Sequence, residues 1–301
     1  MLISIVTPSF GNSNWLKLCV ASVADQEGVQ VEHIVQDAGS DDGTLDWLPH
    51  DRRVQAYVEK DAGMYDAVNR GLRRSTGEIL AYLNCDEQYL PGALKAVYDF
   101  FMVHPEVEVV FAHAVVVDAR GEFICYRKVV LPHKHHVMVC HLPVLTCATF
   151  FRRRVIDQYG LLFDTRWRIT GDADWMIRLL ERGVQMRILS RFTSAFTNTG
   201  ANLDRTPRAD YERQEMFNAA PFWARKMALG LHAVHWLRRG LHGNYCQRPF
   251  DYAIYTLDSP TRRGAFHVAH PTFLWKERFR MGVASTVRLS VRGTKANRRA
   301  S

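Results

Sequence analysis

Apolar positions along the first hundred residues alternate between two rhythms. Residues 2–7 (Leu-Ile-Ser-Ile-Val-Thr) are a short, nearly continuous apolar run, which predicts a strand buried on both faces. Leu16, Cys19, Val20 and Val23 then recur at i, i+3, i+4 and i+7, the inner face of a helix. Residues 32–36 predict a second strand. Strand, helix and strand in so short a span make a βαβ unit, expected to be right-handed and parallel. Residues 54–58 predict a third strand. Tyr65, Val68 and Leu72 mark the next helix, with Gly77 placed to stop it. Residues 79–83 (Ile-Leu-Ala-Tyr-Leu) have the length of another buried strand, and Pro91 near the first turn opens a helix over 92–102. Strands at 107–117 and 122–131 flank the turn Asp118-Ala-Arg-Gly121 as an antiparallel hairpin. Trp175, Ile177, Leu179 and Leu180 mark a late helix. Residues 222–242 fit a single helix, with Trp223, Met227, Val234, Leu237 and Leu241 on one side and Arg225, His232, His235, Arg239 and His242 opposite.

Composition narrows the class. A chain of 301 residues holds one large α/β domain, or one domain and an appendage. With 47% hydrophobic and 11% aromatic residues it is globular rather than disordered. The N-terminus has no basic region and already reads as a strand, so no signal peptide is expected, and no apolar run is long enough to span a bilayer. Six scattered cysteines with no Cys-x-x-Cys argue against disulfides and structural zinc, and for a reducing cytoplasm. Charge is uneven. Residues 205–301 carry 18 Lys+Arg against 6 Asp+Glu, while residues 1–204 carry 21 against 25. A basic C-terminal third implies a polyanionic partner. No recognition motif accompanies the charge, which disfavours nucleic acid.

Carboxylates fall where strands end. Asn84, Cys85, Asp86 and Glu87 follow the apolar run at 79–83, at the sheet edge where open α/β folds bind ligands. Asp86 suits a hard divalent cation, Mg²⁺ or Mn²⁺, with Asn84 in support, or else caps a turn. Asp37 ends the second strand in Asp37-Ala-Gly-Ser-Asp-Asp-Gly-Thr44, and either accepts hydrogen bonds from a base or ribose or caps its own turn. Asp172 opens the late helix as an N-cap or as a general base. Pro8-Ser-Phe-Gly-Asn-Ser-Asn14 lacks the Gly-x-Gly-x-x-Gly of a dinucleotide-binding enzyme. His133, His135, His136 and His141 match no usual zinc spacing, so a solvated loop on the acceptor side is expected.

Taken together these blocks resemble the family 2 inverting glycosyltransferases with the GT-A fold, an α/β architecture with a Rossmann-like, mostly parallel sheet flanked by helices. The resemblance covers residues 1 to about 200. It rests on Pro8-Ser-Phe10, Asp37 to Thr44, Asp61-Ala-Gly-Met-Tyr-Asp-Ala-Val-Asn69, Thr76-Gly-Glu78, Leu83-Asn-Cys-Asp-Glu87 and Thr170-Gly-Asp-Ala-Asp-Trp-Met-Ile-Arg178, in order. It implies donor-nucleotide contacts from Pro8, Ser9, Phe10, Asp37, Asp61, Asn69 and Asn84, a Mn²⁺ or Mg²⁺ ligand in Asp86, and the catalytic base in Asp172. It further implies a nucleoside-diphosphate sugar donor and a glycan or lipid-linked acceptor, in bacterial surface polysaccharide synthesis. Two positions depart from the pattern. Asn84 stands first in the usual Asp-x-Asp, and Val68 stands where many members have Arg, which moves the diphosphate contact to Lys60 or Arg73.

The chain therefore divides into a catalytic domain at 1–204 and a basic, mainly helical region at 205–301. That region either packs on the domain, or on another copy, with a solvated basic face, or lies on anionic lipid, as the aromatic and basic residues of 273–280 and the tail at 288–299 also suggest. The expected location is cytoplasmic, with a peripheral seat on the inner membrane face in the second case. Rival functions are a silent nucleotide-sugar-binding scaffold and a nucleotidyltransferase. The three retained aspartates argue against the first. The absence of a basic residue in the loop Pro8 to Asn14 argues against the second.

Overall fold

The structure, a computed structural model, describes residues 1–200 and 206–275. Strand β1 (Leu2–Ser9) lies between β2 (Gln30–Asp37) and β4 (Ile79–Tyr82), parallel to both, and β3 (Gln55–Val58) adds a parallel strand outside β2. Ile3, Ile5 and Val6 of β1 are wholly buried, which is why its sequence is apolar throughout rather than alternating. Helix α1 (Ser13–Ala24) covers one face, with Cys19 and Val23 in the cluster of Ile3 and Ile5. A one-turn helix, α2 (Thr44–Trp47), precedes β3, and α3 (Met64–Arg74) covers the other face through Tyr65, Val68 and Leu72 against Val6. The order β3-β2-β1-β4 means that the chain leaves β1 to one side and returns through α3 to the other. A crevice opens where the order reverses, beyond the carboxyl ends of β1 and β4. Register aligns Ser9 with Asp37 and Val6 with Tyr82, so three of the expected blocks leave the sheet at one edge.

Two details of the expected boundaries change. Helix α3 ends at Arg74 with Ser75 as its cap, so Gly77 does not stop it. Gly77 instead lies against β1, where a Cβ would come within 2.5 Å of Ser4 Oγ and 2.7 Å of the Leu2 carbonyl oxygen. Helix α4 (Ala93–Val103) opens on Gly92 in the left-handed region, which leaves Pro91 one residue outside the cap.

Beyond β4 the sheet becomes mixed. It continues through β8 (Thr149–Arg152), β6 (Val109–Asp118), β9 (Met186–Asn198) and β5 (Glu87–Tyr89). Strands β6 and β9 are parallel, β8 is antiparallel to both its neighbours, and β5 is antiparallel to β9. Strand β7 (Phe123–Arg127) returns antiparallel along the far half of β6, as the hairpin pattern predicts. The three-residue β5 begins directly after Asp86 and ties that turn to the sheet on its far side.

Helices α5 (Lys134–Val139), α6 (Arg154–Asp157), α7 (Gly171–Glu181) and α8 (Pro207–Ala219) follow. The expected helix over 222–242 breaks at Met227 into α9 (Phe222–Lys226) and α10 (Ala228–Leu241). Its faces are also inverted. His235 is 5% exposed, whereas Leu237 and Leu241 are 64% and 79% exposed. The histidine face packs inward on α5, and the apolar face meets solvent. That overturns the expectation of a packed helix with a solvated basic face. The C-terminal region is also not wholly helical. A hairpin of β10 (Phe250–Thr256) and β11 (Ser259–Val268) clasps the domain through Arg263, whose guanidinium donates to Asp25 at 2.6 and 2.7 Å, and through Tyr252 Oη donating to the Gly121 carbonyl at 2.6 Å. Residues 276–280, the tail at 288–299 and the division at 204/205 lie outside the described residues.

Candidate active site

The crevice opens into a cleft of about 2470 Å³, lined by Pro8, Ser9 and Phe10 from the end of β1, Lys60 and Asp61 before α3, Asn84 to Glu87 after β4, and Asp172 at the head of α7. Ser9 Oγ is buried there with no hydrogen-bond partner, and Phe10 is 65% exposed at the rim.

The Asn84–Glu87 turn closes on itself. Glu87 N–H donates to the Asn84 carbonyl at 3.0 Å, and Asn84 N–H donates to Glu87 Oε2 at 2.9 Å. Burial raises the Asp86 carboxyl to about 6; burial, and then the Asp86 charge, raise Glu87 to about 8. Asn84 Oδ1 and Glu87 Oε1 are buried without a partner. A pair of desolvated carboxyls, one with an unsatisfied oxygen, beside the unsatisfied Asn84 Oδ1 is an all-oxygen donor set, and a hard divalent cation fits it.

Asp37 is fully buried beneath the loop it starts. Its Oδ1 accepts from the N–H groups of Gly39 and Ser40 at 2.9 and 2.7 Å, and its Oδ2 accepts from Ser40 Oγ at 2.7 Å. The cleft is lined here by Ala38 and Gly39, so Asp37 shapes the loop from beneath. Asp61 lines the cleft and accepts from Gly63 N–H at 2.8 Å. Asn69 requires a correction. It is buried, its Nδ2 donates to the Phe163 carbonyl at 2.7 Å and its Oδ1 accepts from Phe163 N–H at 2.9 Å. Both polar ends are consumed in pinning the loop before α7, so it does not face a nucleotide. Of the two cations expected near the diphosphate, Lys60 lines the cleft; Arg73 points outward from α3.

Asp172 is held by backbone more than by helix capping. Tyr65 Oη donates to the Ile169 carbonyl at 2.9 Å and accepts from Asp172 N–H at 3.1 Å. The fit is tight: a Cβ on Gly171 would come within 2.6 Å of the Tyr65 ring. Burial and the nearby Asp172 charge push the Tyr65 and Tyr82 hydroxyls well above their usual range, so both remain protonated donors. Two to four residues before Asp172, the N–H groups of Arg168, Ile169 and Thr170 donate to buried Glu212 of α8 at 2.9, 2.9 and 3.0 Å. Asp174 faces away from the cleft and pairs with Arg178 at 2.8 Å, one helical turn on.

Three contributors escaped the sequence reading. Arg127 at the end of β7 is half-buried and lines the cleft, its guanidinium lowered to about 10 by burial and then by Arg239. Arg168 lines it next to Gly63. A wall from the C-terminal third, including His232, Trp236, Arg239 and Phe273, closes the remaining side. Single arginines and aromatics carry no spacing signal, so only the fold brings them together.

The family model described as glycosyl transferase family 2 matches residues 4–160, from β1 through the Asn84–Glu87 turn and β8. The chain belongs to this family. The glycosyltransferase is 29% identical over 187 residues to a PGL/p-HBAD biosynthesis glycosyltransferase of Mycobacterium tuberculosis, covering 59% of this chain and 69% of that one. It is 33% identical over 106 residues to the putative teichuronic acid biosynthesis glycosyltransferase TuaG of Bacillus subtilis, covering 34% and 42%. Its fold is GT-A. The structure of S. aureus TarS 1-349 in complex with UDP-GlcNAc superposes with a TM-score of 0.58 at 14% identity, over 79% of this chain and 73% of that one. The mannosyltransferase PcManGT of Pyrobaculum calidifontis, in complex with GDP-Man and Mn²⁺, gives 0.52 at 16% identity over 79% and 75%. The family match ends before Asp172, which leaves the role of that residue to its geometry.

Proposed function

We propose that this glycosyltransferase moves a sugar from a nucleoside-diphosphate donor to a hydroxyl of a glycan or lipid-linked acceptor, in surface polysaccharide synthesis, with inversion at the anomeric carbon. The observation that carries this reading is a single cleft bearing Asp86 at the sheet edge and Asp172 on the wall beyond it. The ligands of the solved relatives support the donor class, and the names of the curated relatives support the pathway class.

In the step itself the Asp172 carboxylate takes the proton of the acceptor hydroxyl as that oxygen attacks the anomeric carbon. The bond from that carbon to the diphosphate oxygen breaks, and the nucleoside diphosphate leaves with the electron pair. Tyr65 holds the Asp172 backbone in place. Lys60 and Arg168 bring positive charge to the leaving group. A divalent cation, Mn²⁺ or Mg²⁺, held by Asp86 with Asn84 and Glu87 beside it, would supply further charge neutralisation there. One displacement by one base inverts configuration, since a covalent route would need a nucleophilic carboxylate close to the acid.

The outward apolar face of α9 and α10, in a region of net positive charge, supports a peripheral seat on an anionic membrane. Among the described residues no helix is long and apolar enough to cross one.

The test is to incubate the protein with UDP-, GDP- and dTDP-sugars and Mn²⁺ and identify the products. Release of a nucleoside diphosphate, with the glycoside in the configuration opposite to the donor, is expected. Release of pyrophosphate, or retention of configuration, contradicts the reading.

A further inference from the structure

Four histidines from two distant stretches of chain converge on one spot in the C-terminal wall of the cleft. His136 lies on α5 and His141 just after it, while His232 and His235 are three residues apart on the inward face of α10. Ring centroids are 4.2 Å apart for His136 and His235, 4.6 Å for His136 and His141, 5.2 Å for His141 and His235, and 5.5 Å for His141 and His232. Cys140 adds a sulfur. Two sets of three donor atoms, His136/His141/His235 and His136/Cys140/His232, each lie within 4.8 Å of one another.

The packing makes poor sense as ordinary core. His136 is 3% exposed, yet neither of its ring nitrogens has a hydrogen-bond partner, and Nδ1 of His232 also lacks one. Buried polar atoms left so are costly and rare. The unpartnered nitrogens of His136 and His232 are donor atoms with no partner among the described residues. Neutral imidazoles with a thiol are the donor set of zinc rather than of Mg²⁺ or Mn²⁺. Arg127, Arg238 and Arg239 surround the cluster with positive charge. That charge disfavours a dication held by imidazoles alone and favours a thiolate among its ligands, which Cys140 can provide.

We propose that this cluster is a structural zinc site of four ligands, with His136 shared by both sets, Cys140 and His232 completing one of them, and one of His141 and His235 supplying the fourth. A closed tetrahedral site would clamp α10 to α5. Because His232, Trp236 and Arg239 of α10 line the cleft, the clamp would fix the acceptor-side wall at a distance from the donor chemistry at Asp86. Separate helices supply the ligands, which is why the chain shows no recognisable zinc spacing.

The experiment measures metal in the full-length protein by mass spectrometry and follows its replacement by Co²⁺ spectroscopically. One zinc per chain is expected, retained in Asp86→Ala. In His232→Asn/His235→Asn, zinc affinity should fall by more than roughly 100-fold, beyond the 10–100-fold that follows loss of an outer partner. Cobalt should give the intense visible bands of a tetrahedral site together with thiolate charge transfer, lost in Cys140→Ser. The proposal is overturned if the chain carries no zinc after growth in zinc, or if zinc survives the double histidine change. It is equally overturned if the cobalt spectrum of the wild-type protein is that of an octahedral oxygen site, a reading that holds even where a variant fails to fold.

Discussion

Asp172 and Asp174 stand two positions apart at the head of one helix and meet different surroundings. About 200° of rotation separates them, which sends Asp172 into the cleft and Asp174 to Arg178. Removal of a positioned base costs typically 10²–10⁴-fold in rate. Asp172→Asn should lower kcat by that order with donor Kd and Tm nearly unchanged, whereas Asp174→Asn should act on Tm. An active Asp172→Asn, or an inactive but fully stable Asp174→Asn, would refute the assignment. Asp86→Ala should abolish turnover and the Mn²⁺-dependent part of donor affinity, with Asn84→Ala doing less; full activity of the wild-type enzyme in chelator would reject a metal at Asp86. Residue types at strand ends were legible because several carboxylate-bearing blocks follow the strands in order, although a carboxylate there also serves as a turn cap. What each side chain touches was not. Asp37 engages its own turn through Ser40, a local contact the sequence allows for, whereas Asn69 is engaged by Phe163, a neighbour so far along the chain that it leaves no trace in spacing.

At the scale of elements, the parallel half of the sheet was readable from apolar runs, since strands buried on both faces have no other pattern. The mixed half was harder. Strand β9 alternates only in its second part, β5 is three residues long, and the β10–β11 hairpin carries many polar side chains. Helix α10 misleads for a physical reason: its inward face carries His232 and His235 against α5, with Arg238 donating to the Leu131 carbonyl and Arg239 over the Tyr245 ring, so hydrophobic periodicity gives the axis correctly and the orientation backwards. Helix α8 reaches the active site through Glu212. Burial pushes that carboxyl up, but hydrogen bonds from Arg168, Arg208, Thr170 and Ile169 outweigh burial and hold it below its ordinary value of 4.5. A depressed pKa in the folded state stabilises above the unfolded value, and the contribution is lost as pH falls through the folded one. Glu212→Gln should therefore cost about 1.5–3 kcal/mol at neutral pH and flatten the decline of Tm below pH 4.5. An unchanged acid limb would show that Glu212 does not tie α8 to the loop before Asp172.

For the whole molecule, the uneven charge of the sequence and the outward apolar face of α9 and α10 point the same way. Phe222, Trp223, Met227, Leu237 and Leu241 are each at least half exposed. Full-length protein should sediment with anionic vesicles, less so as salt rises, because surface attraction is screened over roughly 8–10 Å at physiological ionic strength. Leu237→Asp with Leu241→Asp should weaken sedimentation without lowering Tm. Equal sedimentation of that variant and the parent would mean that these helices face something other than lipid.

Helix α10 is two-sided in a literal sense: His232, Trp236 and Arg239 border the cleft, while Val234, Leu237 and Leu241 look outward. If the outward side rests on a bilayer, the cleft begins one helix thickness from it, about 10–12 Å. The enzyme would then measure height. An acceptor whose reactive hydroxyl lies flush with the headgroups could not reach Asp172, and one carried on a long glycan would overshoot, so that a series of lipid acceptors differing only in spacer length should show an optimum beyond that distance on vesicles and none in detergent.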